Sequence, residues 1–249
     1  MLTQERYQSI LSIVNEKNAV TVSELAEYLE ISESTVRRDL TALDELGKLK
    51  KVFGGATSII KPEGVYEDSV STRENLMKEE KTEIGRYCAK TINNADFVYI
   101  DSGTTTSRLI DFIDNNKATY VTNGIVHARK LVQKGLNAYL VGGKVKLATE
   151  AVVGAEGIAN LKNFNFSKAF LGANGIDINS GFTTPDIEEA MMKEAAVKHS
   201  YMAFVLADHT KFRRVFSVTF AQLRTCCVIT DVLPDSKYAK EKVIKEVMK

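Results

Sequence analysis

Val20–Ala56, VTVSELAEYLEISESTVRRDLTALDELGKLKKVFGGA, is the stretch that decides the fold of the amino-terminal part. Thr21 followed three residues later by Glu24 predicts a capping box, each side chain satisfying an unpaired amide at a helix start. Leu25, Ala26 and Leu29 then give that helix one apolar stripe. Glu30-Ile31-Ser32 leaves room only for a tight turn, after which Ser32 or Ser34 caps a second helix. In it Val36, Leu40, Leu43 and Leu46 are spaced to share a buried face, leaving Ser34, Thr35, Arg37, Arg38 and Thr41 off that face. Gly47 stands where a helix end takes a left-handed residue, Lys48 to Phe53 alternates as a strand does, and Gly54-Gly55 ends it. Helix, tight turn, helix and ribbon in this order predict a winged helix-turn-helix, whose second helix fits the major groove of B-DNA. The competing reading is a surface helical hairpin whose arginines are merely solvated. The short turn, the polar first turn of the second helix and the basic ribbon favour DNA.

Charge refines that expectation. Residues 1–33 carry Arg6 and Lys17 against Glu5, Glu16, Glu24, Glu27, Glu30 and Glu33; residues 34–56 carry Arg37, Arg38, Lys48, Lys50 and Lys51 against Asp39, Asp44 and Glu45. The segment is acidic overall, seven positive charges against nine negative, and its positive charge sits on the second helix and ribbon. A general polyanion binder carries a basic excess. Phosphate contacts are therefore expected to be few and local, with affinity resting on dimerisation and base readout. The expected DNA contacts are Thr21, Ser32, Ser34, Thr35, Arg37, Arg38, Thr41, Lys48, Lys50 and Lys51.

Ser34-Thr-Val-Arg-Arg-Asp-Leu40, Leu43, Gly47-Lys-Leu and Gly54-Gly55-Ala56 resemble the DeoR family of bacterial transcriptional regulators. Phe53 departs from the family, which usually has histidine before the glycine pair, so a phosphate hydrogen bond from that position is lost. The resemblance implies repression from paired operator sites and release by a phosphorylated sugar.

The 249 residues are near neutral, with a formal net charge of +1, and suit two domains. No apolar run approaches the ~20 residues of a membrane span, and the first residues lack the apolar stretch of a signal peptide. A cytoplasmic chain is expected. Three cysteines, two adjacent at Cys226 and Cys227, do not make a disulfide framework, and their neighbours suggest a reduced, buried strand. His127, His199 and His209 lack ligand spacing, so neither a metal nor a cofactor is expected.

The expected organisation is a DNA-binding domain over residues 1–57, a linker over 58–77 and an α/β effector and oligomerisation domain over 78–249. Pro62-Glu-Gly64 breaks any regular element in the linker, which has room for a strand or two packed on the following domain. A helix is expected from Lys78, with Ile84, Tyr87, Cys88 and Ile92 inward. From Ala95 the pattern becomes strand, glycine loop, helix, repeated. Apolar runs at Phe97–Ile100, Thr119–Thr122, Ala138–Val141, Lys168–Gly172, Met202–Ala207 and Cys227–Thr230 predict a mostly parallel sheet covered on both faces. Ligands of such sheets sit at the carboxyl ends of strands.

Asp101-Ser102-Gly103-Thr104-Thr105-Thr106 lies at such an end, where converging amides, a helix dipole and three hydroxyls suit an anion. No lysine follows in P-loop order, so a nucleoside triphosphate is not suggested. A plain capped turn is the alternative. Asn123-Gly124 and Gly142-Gly143-Lys144 occupy equivalent ends, and Lys144 and Lys211 are candidate partners for a phosphate. Glu150 and Asp186 complete the expected effector set.

The runs Asp101-Ser-Gly-Thr-Thr, Val121-Thr-Asn-Gly, Val141-Gly-Gly-Lys, Phe170-Leu-Gly and Leu206-Ala-Asp-His-Thr-Lys-Phe resemble the sensor domain of the same family. That resemblance implies a fold similar to ribose-5-phosphate isomerase and glucosamine-6-phosphate deaminase. Gly181-Phe-Thr-Thr-Pro-Asp186 with Glu189-Ala190 resembles fructose-operon repressors, which implies fructose 1-phosphate as inducer. A dimer or tetramer on double-stranded operator DNA is expected.

Two rival classes are weighed. A sugar-phosphate isomerase or deaminase needs a carboxylate base and an acid, and Asp101, Glu150, Asp186 and Asp208 supply carboxylates. Deaminases, however, carry Asp-Gly-His where this chain has Asn174-Gly175-Ile176, groups that move no protons. The other rival is an architectural protein whose second domain only oligomerises.

Overall fold

A computed structural model of the chain describes residues 3–17, 19–58, 70–241 and 243–248. It contains two compact units, Met1–Lys61 and Pro62–Lys249.

The first unit opens with a helix that the sequence reading did not anticipate, α1 (Thr3–Lys17), followed by the short strand β1 (Ala19–Thr21). α2 (Val22–Leu29) and α3 (Glu33–Glu45) follow, then β2 (Leu49–Val52) and β3 (Gly55–Ser58). The Thr21–Glu24 capping box is present at α2, and Ser32 caps α3 by accepting from the Thr35 amide. Glu30, at φ 53°, turns the chain between the helices. Ile10 and Val14 of α1 close a core with Val20, Leu25, Val36, Leu40, Leu43 and Leu49.

Leu46 is not in this core: it is 62% exposed. At 100° per residue it points about 80° away from Val36, and α3 has already ended. Gly47, at φ +63°, then reverses the chain.

The three strands pair antiparallel in the order β1-β3-β2. The glycine pair does two jobs. Gly54 makes the hairpin turn at φ +82°, while Gly55 begins β3, where a Cβ would stand 2.2 Å from the Val20 carbonyl oxygen. Only Leu49 of β2 is buried, so the expected alternation reduces to one inward residue.

The second unit begins, among the described residues, with α4 (Val70–Asn75), inside the span expected to be linker. Residues 59–69, part of the linker span that has room for a strand or two, lie outside the described residues. There follow α5 (Lys78–Ala89), β4 (Phe97–Ile100), α6 (Thr104–Phe112), β5 (Thr119–Thr122), α7 (Ile125–Gln133) and β6 (Asn137–Leu140). A hairpin of β7 (Lys144–Lys146) and β8 (Ala151–Val153) leads to α8 (Ala155–Leu161) and β9 (Phe166–Gly172). β10 (Gly175–Asp177), β11 (Gly181–Thr184), α9 (Ile187–Lys198), β12 (Ser200–Leu206), β13 (Val218–Ala221), β14 (Cys227–Thr230) and β15 (Ile244–Glu246) complete it.

Seven strands form one sheet in the order β15-β14-β12-β9-β4-β5-β6, every neighbour parallel. A core lies on each face. Tyr99, Val121, Leu171 and Val205 pack on one side, and Val98, Ile100, Tyr120, Phe170 and Phe204 on the other. β10, β11 and β13 form a separate small antiparallel sheet. Ile84, Cys88 and Ile92 face inward as expected, whereas Tyr87 lies on the flank of α5 and is exposed. Cys88, Cys226 and Cys227 are free thiols. No helix among the described residues is long and apolar enough to cross a membrane.

Candidate functional site

In the first unit the surface of α3 presents Ser34, Arg37 and Arg38, all exposed, with Thr35 and Thr41 half-buried beside them. Much of this surface is internally braced. Arg37 pairs with Glu33 at 2.6 Å, and Glu33 also accepts from the Ser23 hydroxyl at 2.8 Å. Ser23 lies on α2, so the bracing joins the two helices of the motif. Lys51 of β2 donates to the Thr41 hydroxyl at 2.7 Å, and its amide donates to Asp44 at 3.0 Å, which ties the ribbon to α3. Arg38 differs: it has no hydrogen-bond or ion partner among the described residues, and its guanidinium fork is available to a base edge or a phosphate.

Beneath this surface Arg6 of α1 grips Asp39, with Nε to Oδ2 at 2.5 Å and Nη2 to Oδ1 at 3.1 Å. Asp39 is 2% exposed, and its bond holds the Arg6 guanidinium above its already high range. The residue next to Arg38 thus fixes α3 against α1. Thr21 and Ser32 are occupied as helix caps, while Lys48 and Lys50 are exposed along the ribbon.

In the second unit a cavity of about 300 Å³ opens at the carboxyl ends of β4 and β5. Ser102, Gly103 and Thr104 form one wall, with Arg129 and Val126 of α7, Thr149 and Glu150 of the hairpin loop, and Glu74 and Val70 of α4 around it. A larger hollow of about 650 Å³ lies at the amino ends of the strands, lined by Ile92, Phe112 and Asn115 among others. Parallel sheets take ligands at carboxyl ends, so the smaller cavity is the better site.

The Gly103 cap of α6 has no side chain to accept from the first-turn amides, which leaves them available to an anion. Arg129 has no partner among the described residues, so the lining of the cavity combines an uncapped helix start and a cation with two carboxylates, Glu74 and Glu150.

The remaining residues of the Asp101–Thr106 loop hold the cavity's frame instead of facing it. Asp101 is 2% exposed, is bridged by Lys193 of α9 and accepts the Gly172 amide at 3.0 Å. Thr106 is fully buried and donates to the Asp101 and Gly103 carbonyls, and Thr105 is buried as well. Of the three threonines only Thr104 reaches the cavity, because the helix turns the other two inward. The Ser102 amide is consumed by the Asn123 side chain at 3.1 Å, which also donates to the Val152 carbonyl at 3.1 Å. Gly124 is packed against Ser102 and His127: a Cβ on it would lie 3.0 Å from Ser102 Cβ.

Besides these, four more expected effector residues lie off the cavity. Lys144 pairs with Glu188 at 2.9 Å on the surface. Gly143 lies against α8, where a Cβ would meet the Gly157 amide nitrogen at 3.0 Å. Asp186 caps α9 and pairs with Lys146, and β11, which carries Gly181–Thr184, is buried. Lys211 lies in the turn after β12, electrostatically close to Lys81. Of the four carboxylates weighed for catalysis only Glu150 lines the cavity; Asp208 accepts from the Thr210 amide at 3.1 Å.

Sequence reasoning missed Arg129, Lys193 and His127. Arg129 was within reach, one turn into the helix that Asn123-Gly124 opens. Lys193 lies in a helix with no clear apolar stripe, where a buried cation leaves no periodic signal.

His127 is 4% exposed, and burial lowers its pKa to about 4 against the opposing pull of the Asp101 charge. Thr106 already donates its proton elsewhere, so His127 Nε2 donates to the Gly103 carbonyl at 3.0 Å. The unfolded chain takes up this proton near pH 6.5 and the folded one only near 4, so the neutral ring's stability is present above 6.5 and is lost on acidification. The expected loss between pH 7 and pH 5 is roughly 2 kcal/mol. Urea unfolding at both pH values, compared with His127→Gln, checks it: the variant should show the shallower decline. His209, raised by its bond to Asp231, works with the opposite sign and cancels in that comparison.

The profile of the DeoR-like helix-turn-helix domain matches residues 6–61, and that of the DeoR C terminal sensor domain matches residues 76–232. The chain belongs to the DeoR family. The DeoR-family chain is 37% identical over 255 residues to the HTH-type transcriptional regulator FruR of Bacillus subtilis, itself uncharacterized, covering 99% of each. It is 31% identical over 254 residues to the lactose phosphotransferase system repressor of Staphylococcus aureus, covering all of both chains. Among solved structures, ribose 5-phosphate isomerase A of Methanocaldococcus jannaschii aligns over 54% of each chain with a TM-score of 0.41 and 11% identity.

Proposed function

We propose that this DeoR-family chain represses a sugar-utilisation operon by binding operator DNA through α3 and the β2–β3 ribbon, and that a phosphorylated sugar releases it. The observation that carries the sensor half is the cavity's mixed lining of anion-binding groups and carboxylates. The uncapped start of α6 and Arg129 suit a phosphoryl group, and Glu74 and Glu150 suit sugar hydroxyls. Ser102, Gly103, Thr104, Arg129 and Glu150 are the contacts we assign; Asp101, Asn123 and Thr106 position the loops. Fructose 1-phosphate is the first ligand to test, on the strength of the sequence likeness to fructose-operon repressors. Repression from paired half-sites implies a dimer or tetramer in the cytoplasm.

Arg38 is the contact with the most to lose. Arg38→Ala is expected to weaken operator binding by about 1–3 kcal/mol if it reads a guanine, with discrimination between operator and random DNA reduced. Fluorescence anisotropy on both DNAs checks this, and unchanged operator affinity would take Arg38 off the reading surface.

The sensor half is tested by a gel shift on the DNA upstream of the chain's own gene. Fructose 1-phosphate, fructose 6-phosphate, tagatose 6-phosphate, glucosamine 6-phosphate and glycerol 3-phosphate are added in turn, with thermal melts in parallel. A bound ligand raises stability by RT ln(1 + [L]/Kd). Neither a shift nor release with any of them would retire the reading for these ligands, and turnover of one would favour an enzyme.

A further inference from the structure

Phe53 stands wholly in solvent, at a relative exposure of 108%. A single exposed apolar residue is ordinary, but this one crowns a tip that is held from two sides. Val52 of β2 pairs with Gly55 of β3, so Phe53 and Gly54 are the two residues of the turn between them. Gly54 takes the left-handed angle, φ +82°, and its carbonyl accepts from the Val22 amide at 2.9 Å, which ties the turn to the start of α2. Lys51, two residues before Phe53, is tied to Thr41 and Asp44 of α3. The place of the ring relative to α3 is thereby fixed, while the ring itself remains in water.

The reach of the ribbon says where that ring goes on DNA. Leu49, at the root of β2, is 1% exposed and belongs to the core of the unit. Four residues on, at the rise of a strand, Phe53 stands roughly 13 Å out. α3 fits a major groove about 12 Å wide. A ribbon of this length beside it crosses the bordering sugar–phosphate strand and brings its tip to the adjoining minor groove. The exposed Lys48 and Lys50 lie along the ribbon and suit the strand it crosses. The tip carries no charge: it is Val52, Phe53, Gly54 and Gly55. A phosphate gains nothing from such a tip, whereas the minor groove accepts phenylalanine as a wedge between base steps. The charge of the unit makes the same demand. Seven positive charges against nine negative give little general attraction to DNA, so an uncharged contact supplies affinity that charge does not.

We propose that the Phe53 ring enters the minor groove flanking each operator half-site and selects A·T pairs there, above all at a pyrimidine–purine step. The proposal rests on operator binding through α3 and the ribbon, and it adds a second groove and a specificity-determining residue. A G·C pair places the guanine N2 amino group in the minor groove, where it obstructs the ring, and an A·T pair has no such group. Pyrimidine–purine steps are easily unstacked, so the ring is covered at a small cost in deformation.

The test uses the full-length protein on the DNA upstream of its own gene, with hydroxyl-radical footprinting to place the flanks and anisotropy to read affinity. Phe53→Ala should melt as the wild type does, since nothing packs on the ring. It should bind this DNA about 10- to 100-fold more weakly, the effect of returning one phenyl ring to water. The dependence of its affinity on salt should be unchanged, whereas Lys50→Ala, which removes a phosphate contact, should make that slope shallower by about 1. Replacing flanking A·T pairs by G·C should weaken the wild type about tenfold and Phe53→Ala hardly at all. Inosine·C pairs, which lack the N2 amino group, should restore the binding of the wild type. Wild-type affinity in Phe53→Ala, or inosine·C flanks that bind as G·C flanks do, would overturn the proposal and leave operator binding by α3 intact. A wild type that binds this DNA no better than random DNA would overturn both.

Discussion

Lys193→Met is expected to cost the sensor unit about 3–5 kcal/mol, the penalty for leaving one charge of a buried pair without its partner. Lys193 and Asp101 are 7% and 2% exposed, so water has little access to the stranded carboxylate. The same carboxylate accepts the Gly172 amide, so the loss reaches from α9 across β4 to β9. Urea unfolding of the variant measures it. Asp101→Asn combined with Lys193→Met should recover much of the loss, because the amide oxygen still accepts from Gly172 and no charge is left alone. A single variant as stable as the wild type would show that Asp101 does not depend on Lys193. Operator binding at temperatures where the variant remains folded should be close to normal, since α3 belongs to the other unit.

Gly55→Val is the second large effect. Its Cβ would stand 2.2 Å from the Val20 oxygen and 3.0 Å from Thr21 Cα, and all of these atoms are main chain, so no side chain can swing aside. β1 and β3 must separate, breaking the pairing of Thr21 with Gly55. Overpacking of this kind typically costs about 1–3 kcal/mol and occasionally more. The Val22 amide donates to the Gly54 carbonyl at 2.9 Å, so the start of α2 is disturbed as well. Circular dichroism melts and anisotropy together check the expectation that operator affinity falls with the stability of this unit. Gly54→Ala is the contrast: nothing lies within 4 Å of its Cβ position, and its cost comes only from φ +82°.

Periodicity made the helix-turn-helix legible because its signals are local. A capping box, a turn too short for anything else and three well-placed apolar residues each depend on a few neighbouring positions. α1 carried no such punctuation, and its inward Ile10 and Val14 are too few to be noticed without the core they complete. The parallel sheet was legible for a related reason: strands buried on both faces read as continuous apolar runs. The ligand cavity was harder. Its loop was found from glycine and threonine at a strand end, yet which hydroxyl faces the cavity depends on the turn of α6, and only Thr104 does. Lys144 looked suitable in sequence, but its partner Glu188 is more than forty residues away. Charge pairing at that distance leaves no trace in a linear pattern. The same applies to Arg6 with Asp39 and to Lys193 with Asp101.

The His127 ring is bonded to the Gly103 carbonyl, and the Asn123 side chain to the Ser102 amide. These two links rivet the lips that follow β4 and β5 into a single jaw. A ligand is therefore met by a jaw already set, to which the loop bearing Thr149 and Glu150 is tied as well, the Glu150 carbonyl accepting from the Ile125 amide at 3.0 Å, while α4 supplies Val70 and Glu74 to the same wall. Recognition by the riveted loops costs little ordering entropy, so substitutions there should alter which ligand fits, while substitutions in α4 should alter how fast it enters and leaves.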